Sequence, residues 1–102
     1  MIVPVKTVAE LGLLVRATRR AHRLRLDDVA GSASLGPVFV GDVEHGKETV
    51  QVGRVLRLLE ELGLQLSLDV PPAALPELEK LRAKGVAPRP PRRQAKPAEG
   101  KQ

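Results

Sequence analysis

The apolar residues near the start of the chain recur at helical spacing. Val8, Leu11 and Val15 share one face of a first predicted helix. Thr7, followed three residues later by Glu10, has the pattern of a capping box, which predicts that the helix starts just after Thr7. Nearly the opposite face carries four arginines with no acid between them, a pattern typical either of a solvated surface or of a track for phosphates: Arg16, Arg19, Arg20 and Arg23.

Two shorter helices joined by a tight turn are predicted between residues 26 and 46. The first covers residues 26–33 and is broken at Ser34. The second begins after Gly36 with a proline, which is well tolerated at the first position of a helix. It runs to about Glu44 and stops at Gly46, since glycine readily adopts the left-handed conformation of a helix end.

This pair of helices has the pattern of a helix-turn-helix. The motif crosses two helices over a short turn and needs a small residue where they touch, which Ala30 supplies. It also needs apolar residues on the inner faces, and the sequence offers Val29, Ala33, Leu35, Val40 and Val43. An ordinary pair of antiparallel helices has the same local pattern, so the pattern alone leaves both structures open.

A fourth helix and an alternating segment follow. The helix starts at about Val50, carries a wide apolar arc and ends at Gly63. Residues 64–70 then alternate strictly between apolar and polar, which predicts a strand. A strand needs a paired neighbour, and no other convincing strand is found, so we predict pairing with the same strand of a second subunit about a two-fold axis. The predicted dimer interface comprises Leu64, Gln65, Leu66, Ser67 and Leu68.

The composition changes after residue 70, which divides the chain into a domain over 1–70 and a tail over 71–102. A short helix is predicted over residues 73–84. Residues 85–102 are rich in proline and basic side chains and offer no large apolar residue after Val86, so we expect disorder there. Such a tail can bind polyanions nonspecifically and aid solubility, or become ordered on a partner or on flanking DNA.

The positive charge lies at the two ends of the sequence. The net charge is +5 overall, composed of +5 over residues 1–25, −5 over 26–70 and +5 over 71–102. The predicted folded part is therefore close to neutral, and the high overall basicity is not by itself evidence of DNA binding.

The residue types present exclude several classes of protein. The chain has no cysteine and two isolated histidines, so no metal site or thiol chemistry is expected. No nucleophile–base pair, carboxylate dyad or phosphate-binding loop is found, so neither an enzyme nor a cofactor is expected. No apolar run approaches the ~20 residues of a membrane span, and the first residues do not form a secretory signal, which predicts a cytoplasmic protein.

Residues 11–69 resemble the Xre/Cro-type helix-turn-helix family, and more narrowly the HipB-like (Y4mF-type) antitoxins. The resemblance rests on LGLLVRATRRAHRL at 11–24, LDDVA at 26–30, FVGDVEHGK at 39–47 and TVQVGRVLRLLEELGLQLSL at 49–68. It implies a mainly all-α domain of four to five helices, like that of lambda repressor, with a short C-terminal strand paired across a homodimer. It also implies a palindromic double-stranded DNA operator and a HipA-like serine/threonine kinase toxin as partner.

The sequence departs from this family where DNA is contacted. Leu26 replaces a polar residue at the start of the motif's first helix, and Ser34 replaces the turn glycine. The outward positions of the motif's second helix, the recognition helix, hold no arginine, lysine, asparagine or glutamine to make bidentate contacts with bases. Val38 there suits a thymine methyl group, and Asp42 can accept a hydrogen bond from cytosine.

Contacts with phosphate are better supplied than contacts with bases. We predict them from the end of the first helix, from the turn, and from the segment between the recognition helix and the fourth helix. The full set of predicted DNA-contacting residues is Arg20, Arg23, Arg25, Ser32, Gly36, Pro37, Val38, Asp42, Lys47, Thr49 and Gln51.

The sequence thus predicts a DNA-binding transcriptional regulator, of the kind that represses its own operon and neutralises a kinase toxin. Two alternatives stay open. One is an interaction module that mainly binds and inhibits a partner kinase, with its recognition of DNA degenerate. The other is a stand-alone Xre-type regulator without a toxin.

Overall fold

The computed structural model describes residues 1–85, which form five α-helices and no strand. The helices are α1 (Val8–Ala21), α2 (Leu26–Ser32), α3 (Pro37–Glu44), α4 (Val52–Glu61) and α5 (Ala74–Ala83). The chain divides between Ser67 and Leu68 into two compact units. The first unit contains α1 to α4 and the second contains α5. None of the helices over residues 1–85 combines the length and apolar character needed to cross a membrane.

The start of α1 follows the predicted capping pattern with one difference. Thr7 has extended backbone, and its Oγ1 accepts a hydrogen bond from the backbone N–H of Glu10 at 3.0 Å. The Glu10 carboxylate accepts from the N–H of Lys6 at 2.7 Å, one residue before the expected donor at Thr7. The side chains of Thr7 and Glu10 therefore each satisfy one backbone N–H group near the helix start.

The core of the first unit is formed by buried residues from all four of its helices, α1 to α4. Val15, Val40, Val43 and Leu58 are its largest fully buried side chains. Gly12 allows α1 to approach α3 closely, because a Cβ there would collide with the carbonyl oxygen of Val43 and lie 2.9 Å from that of Glu44. The closeness of these two helices fixes the position of α3.

The helix-turn-helix predicted over residues 26–46 is confirmed as α2, a short turn and α3. Ala30 is fully buried at the crossing, and the other predicted inward residues are buried with it: Val29, Ala33, Leu35, Val40 and Val43. Ser34 adopts the left-handed conformation, with φ of 58°. Its carbonyl oxygen accepts a hydrogen bond from Nη2 of Arg57 on α4 at 3.1 Å, so the turn is also attached to α4.

The segment over residues 64–70 differs from its sequence prediction. It carries no strand, and residues 65–70 are exposed, while Leu64 is partly buried against the core. A strand is defined by hydrogen bonds to a neighbouring strand, and residues 1–85 of a single chain offer none. The prediction had placed that partner in a second subunit, so pairing across a dimer stays a prediction.

The second unit contains α5 at nearly the predicted place, Ala74–Ala83 against 73–84. Its three leucines, Leu75, Leu78 and Leu81, are all exposed. The unit begins at Leu68, close to the boundary after residue 70 that the change in composition predicts. Disorder is predicted over residues 85–102, of which residues 86–102 lie outside the described residues.

Candidate nucleic-acid interface

The outward side of α3 is short and mostly uncharged. Gly36 is the N-cap and Pro37 the first residue of the helix, as the sequence predicts, and no side chain caps this helix start. Val38 is 78% exposed, the most exposed apolar residue of the helix-turn-helix. Of the predicted contact residues in α3, only Asp42 is charged, and it is partly buried.

The structure pairs Asp42, a predicted base contact, with Lys47, a predicted phosphate contact. Nζ of Lys47 lies 3.6 Å from the carboxylate of Asp42, and the Lys47 N–H donates to the Asp42 carbonyl at 3.0 Å. The Lys47 side chain therefore compensates the one negative charge on the outward side of α3. Near this pair, Nδ1 of His45 lies 2.8 Å from the carbonyl oxygen of Gly41.

The predicted phosphate contacts at the end of α1 lie on an exposed connection. Arg20, Arg23 and Arg25 are all exposed, and Arg23 has a left-handed backbone with φ of 57°. Arg25 is the N-cap of α2, and its guanidinium lies 3.9 Å from the carboxylate of Asp27. Both side chains of this pair are largely exposed, so the pair contributes little to stability and leaves the guanidinium available to a phosphate.

The remaining predicted phosphate contacts also lie at the surface. Ser32 is the last residue of α2, and Thr49 precedes α4. Gln51 is the N-cap of α4 and makes no side-chain capping bond, so the backbone N–H groups at the start of α4 lack a capping side chain. Free N–H groups at a helix start favour an anion, which fits the predicted role of this segment.

Two of the four arginines for which the sequence left a solvated surface and a phosphate track open, Arg16 and Arg19, have structural contacts instead. Arg19 donates from Nε to Oε2 of Glu44 at 2.6 Å and from Nη2 to Oε1 at 3.0 Å. Its Nη1 donates to the carbonyl oxygen of Leu24 at 3.0 Å, and Arg16 donates to the carbonyl of Glu44 at 3.3 Å. Of the four arginines considered for this track, only Arg20 and Arg23 remain exposed.

The pair of Arg19 and Glu44 is the shortest and most buried ion pair in the described residues, and the sequence prediction missed it. Glu44 is only 3% exposed. The hydrogen bond to Glu44, opposed by partial burial, raises the pKa of Arg19 above its ordinary value. Glu44 follows the inward-facing Val40 by four residues, so helical periodicity could have predicted its burial. Periodicity could not have predicted that its partner is Arg19.

Two arginines of α4 also attach the motif to the rest of the unit. The guanidinium carbon of Arg54 lies 6.0 Å from the ring centroid of Phe39 on α3, within reach of a cation–π contact. Arg57 bonds to the turn at Ser34. Phe39 is partly buried and packs against the core. α3 thus packs against α1 and α2, and α4 adds the contact of Arg54 with Phe39 and the hydrogen bond to the turn before α3.

No protein-family model matches the sequence. The chain is 43% identical over 67 residues to an uncharacterized HTH-type transcriptional regulator, y4mF, of Sinorhizobium fredii (strain NBRC 101917 / NGR234). The match covers 66% of this chain and 88% of that protein.

Solved structures with a similar fold have much lower sequence identity. A HipA-HipB-O2-O3 complex contains a chain that matches with a TM-score of 0.64 at 12% identity, covering 68% of this chain and 97% of the other. A HipB-O4 20mer complex matches with a TM-score of 0.63, also at 12% identity and with the same coverage. These matches show a HipB-like fold, which confirms the all-α helix-turn-helix class implied by the sequence resemblance.

Proposed function

The chain belongs to the family of HTH-type transcriptional regulators that includes y4mF, and we propose that it is a HipB-like antitoxin that represses its own operon and neutralises a HipA-like kinase. One observation carries the DNA-binding part. The inner side of α3 is fixed by the core and by Arg19 and Glu44, while its outer side is exposed in the first turn, at Pro37 and Val38, and partly exposed at Asp42.

In this proposal α3 enters the major groove and the surrounding basic side chains position it. Arg20, Arg23 and Arg25 contact one stretch of phosphates, and Lys47 with the start of α4 contacts another. Residues 64–68 pair with those of a second copy, which sets the spacing of two half-sites on a palindromic operator. The absence of a strand over residues 1–85 of a single copy is compatible with a strand that forms only in the dimer.

The kinase partner is inferred from HipB, whose fold this chain shares and which has been solved in a complex with HipA. We infer that the chain binds a kinase of that kind in the cytoplasm, and that the complex represses the operon encoding both proteins.

An interaction module that binds a kinase and has lost most DNA recognition is the second candidate. The observation that favours it is the outward side of α3, where Val38 and an Asp42 paired with Lys47 replace the side chains that usually contact bases.

Binding of the purified chain to its own upstream DNA tests the repressor function. We expect a clear preference over random duplex at physiological salt, with affinity that falls steeply as salt is raised. The slope of log K against log salt is negative, and each phosphate contact contributes roughly −0.9 to it. The triple variant Arg20→Ala, Arg23→Ala, Arg25→Ala should therefore make the slope less negative by about 2–3. The matched control removes three charges from the second unit: Lys80→Ala, Arg82→Ala, Lys84→Ala.

The two candidates give different results in this experiment. Equal affinity for upstream and random DNA would contradict the repressor function. Co-purification with the kinase encoded by a neighbouring gene, with loss of that kinase's activity, would then support the interaction module. Failure of the chain to bind such a kinase while it binds its own upstream DNA would favour the stand-alone regulator.

A further inference from the structure

The outward side of α3 contains a glycine that the fold itself does not require. Gly41 lies inside the helix, where glycine is less favourable than alanine. Apart from its two chain neighbours and the backbone of its own helix, a Cβ at this position would meet nothing in residues 1–85 within 4 Å, and the residue is not among the glycines with positive φ. Gly12, by contrast, is required by the packing of α1 on α3.

The two side chains next to this glycine on the outward side are both short. Val38 precedes Gly41 by three residues and is 78% exposed. Asp42 follows it directly, and its carboxylate is held 3.6 Å from Nζ of Lys47. Side chains of this length reach the edges of bases only where the helix backbone comes close to the floor of the groove, and a residue without a Cβ permits a closer approach.

We propose that α3 recognises bases at short range, with Asp42 and Val38 as the residues that determine specificity and Gly41 as the point of closest approach. This inference rests on the proposed DNA-binding function. The Asp42 carboxylate accepts a hydrogen bond from the N4 amino group of a cytosine, and Val38 packs against the methyl group of a thymine. Lys47 positions the carboxylate and offsets its repulsion by the phosphates.

The spacing of the two residues limits where the bases lie. Positions 38 and 42 are four residues apart, which is about 6 Å along a helix at ~1.5 Å per residue. Base pairs follow one another at ~3.4 Å, so the cytosine and the thymine are expected within roughly two base pairs of each other in every half-site.

Selection from randomised duplex DNA with the full chain tests the assignment of Asp42. We expect a half-site with one preferred cytosine, and the Asp42→Asn variant should move the preference at that position to adenine, because asparagine pairs with adenine N6 and N7. Affinity for the original half-site should fall roughly tenfold. A half-site without a preferred cytosine, or an unchanged preference in the variant, would overturn the inference while leaving DNA binding intact. Absence of any sequence preference in the unmodified chain would overturn the repressor function as well.

A second measurement separates close approach from general damage to the fold. Gly41→Ala should raise the melting temperature, since alanine favours the helix, and should also weaken binding to the selected half-site roughly tenfold. The matched control is Gly31→Ala on α2, another exposed helical glycine with open space around its Cβ position. It should raise the melting temperature and leave the affinity within about twofold. Undiminished binding by Gly41→Ala, or an equal loss in both variants, would refute close approach.

Discussion

The two sides of α3 differ in how much of the fold depends on them. The inward side carries Val40, Val43 and Glu44, all buried and in contact with the rest of the first unit. The outward side carries Val38, which is exposed, and Asp42, whose side chain forms a partly exposed ion pair with Lys47. The inward side therefore fixes the position of the helix. Residues on the outward side can change, and alter what the helix binds, with little effect on the fold.

The largest expected effect comes from breaking the buried ion pair. Arg19→Ala leaves the carboxylate of Glu44 buried without its guanidinium, and we expect a loss of about 3–5 kcal/mol in the free energy of unfolding. Urea denaturation measures it. The control is Arg20→Ala, whose side chain is exposed on the same helix and should change stability by less than about 0.5 kcal/mol. Similar small losses in both variants would remove the distinction between the two sides.

A smaller loss is expected where α1 touches the inward side. Gly12→Ala places a Cβ against the backbone carbonyls of Val43 and Glu44, which cannot rotate away as a side chain can. We expect a loss of about 1–3 kcal/mol, typical of overpacking. Thermal unfolding followed by circular dichroism measures it. An unchanged melting temperature would mean that α1 and α3 can separate without cost.

The turn before α3 should respond in the opposite direction. Ser34 holds a left-handed backbone that costs a non-glycine residue roughly 1–2 kcal/mol. Ser34→Gly removes that strain at the cost of a more flexible unfolded chain, so we expect a net gain of about 0.5–1 kcal/mol. The hydrogen bond from Arg57 is retained because its acceptor is the backbone carbonyl. A measured loss of stability would show that the serine hydroxyl contributes more than the strain removes.

The smallest expected effect is on the outward side. Val38→Ser removes apolar surface that is already in water, so we expect the free energy of unfolding to change by less than about 0.5 kcal/mol. Denaturation in urea, with DNA affinity measured in parallel, tests this. A loss comparable to that of Gly12→Ala would show that Val38 belongs to the packing of the unit.

Helical periodicity was sufficient to predict the helices and the inward residues of the motif. The burial of Ala30 and Val40 follows from their spacing, and the left-handed turn follows from the position of Ser34 in the motif. The roles of the arginines were harder to predict, because Arg16 and Arg20 look alike in sequence. Their roles differ because α3 lies close to α1, where Arg16 reaches the carbonyl of Glu44. That approach depends on Gly12 packing against residues about 30 positions later in the chain, and helical periodicity gives no information about contacts so distant in sequence.

The segment over residues 64–70 illustrates a different limit. Alternation describes which side chains suit a strand, but a strand also needs a hydrogen-bonded neighbour, which a single copy of residues 1–85 does not provide. The candidate site has a similar dependence on a partner. The predicted contact residues are exposed except for Asp42, which is partly buried, and the DNA that would select among them is a separate molecule.

The three-way contact of Arg19 has a mechanical consequence. One guanidinium links its own helix to the carbonyl of Leu24 in the following connection and to Glu44 at the end of α3. These contacts oppose movement of α3 independently of α1 and of the connection that follows it. In the proposed dimer on DNA, a mismatch between two half-sites is therefore absorbed by deformation of the DNA or by the junction between the two copies rather than by a shift of α3 alone.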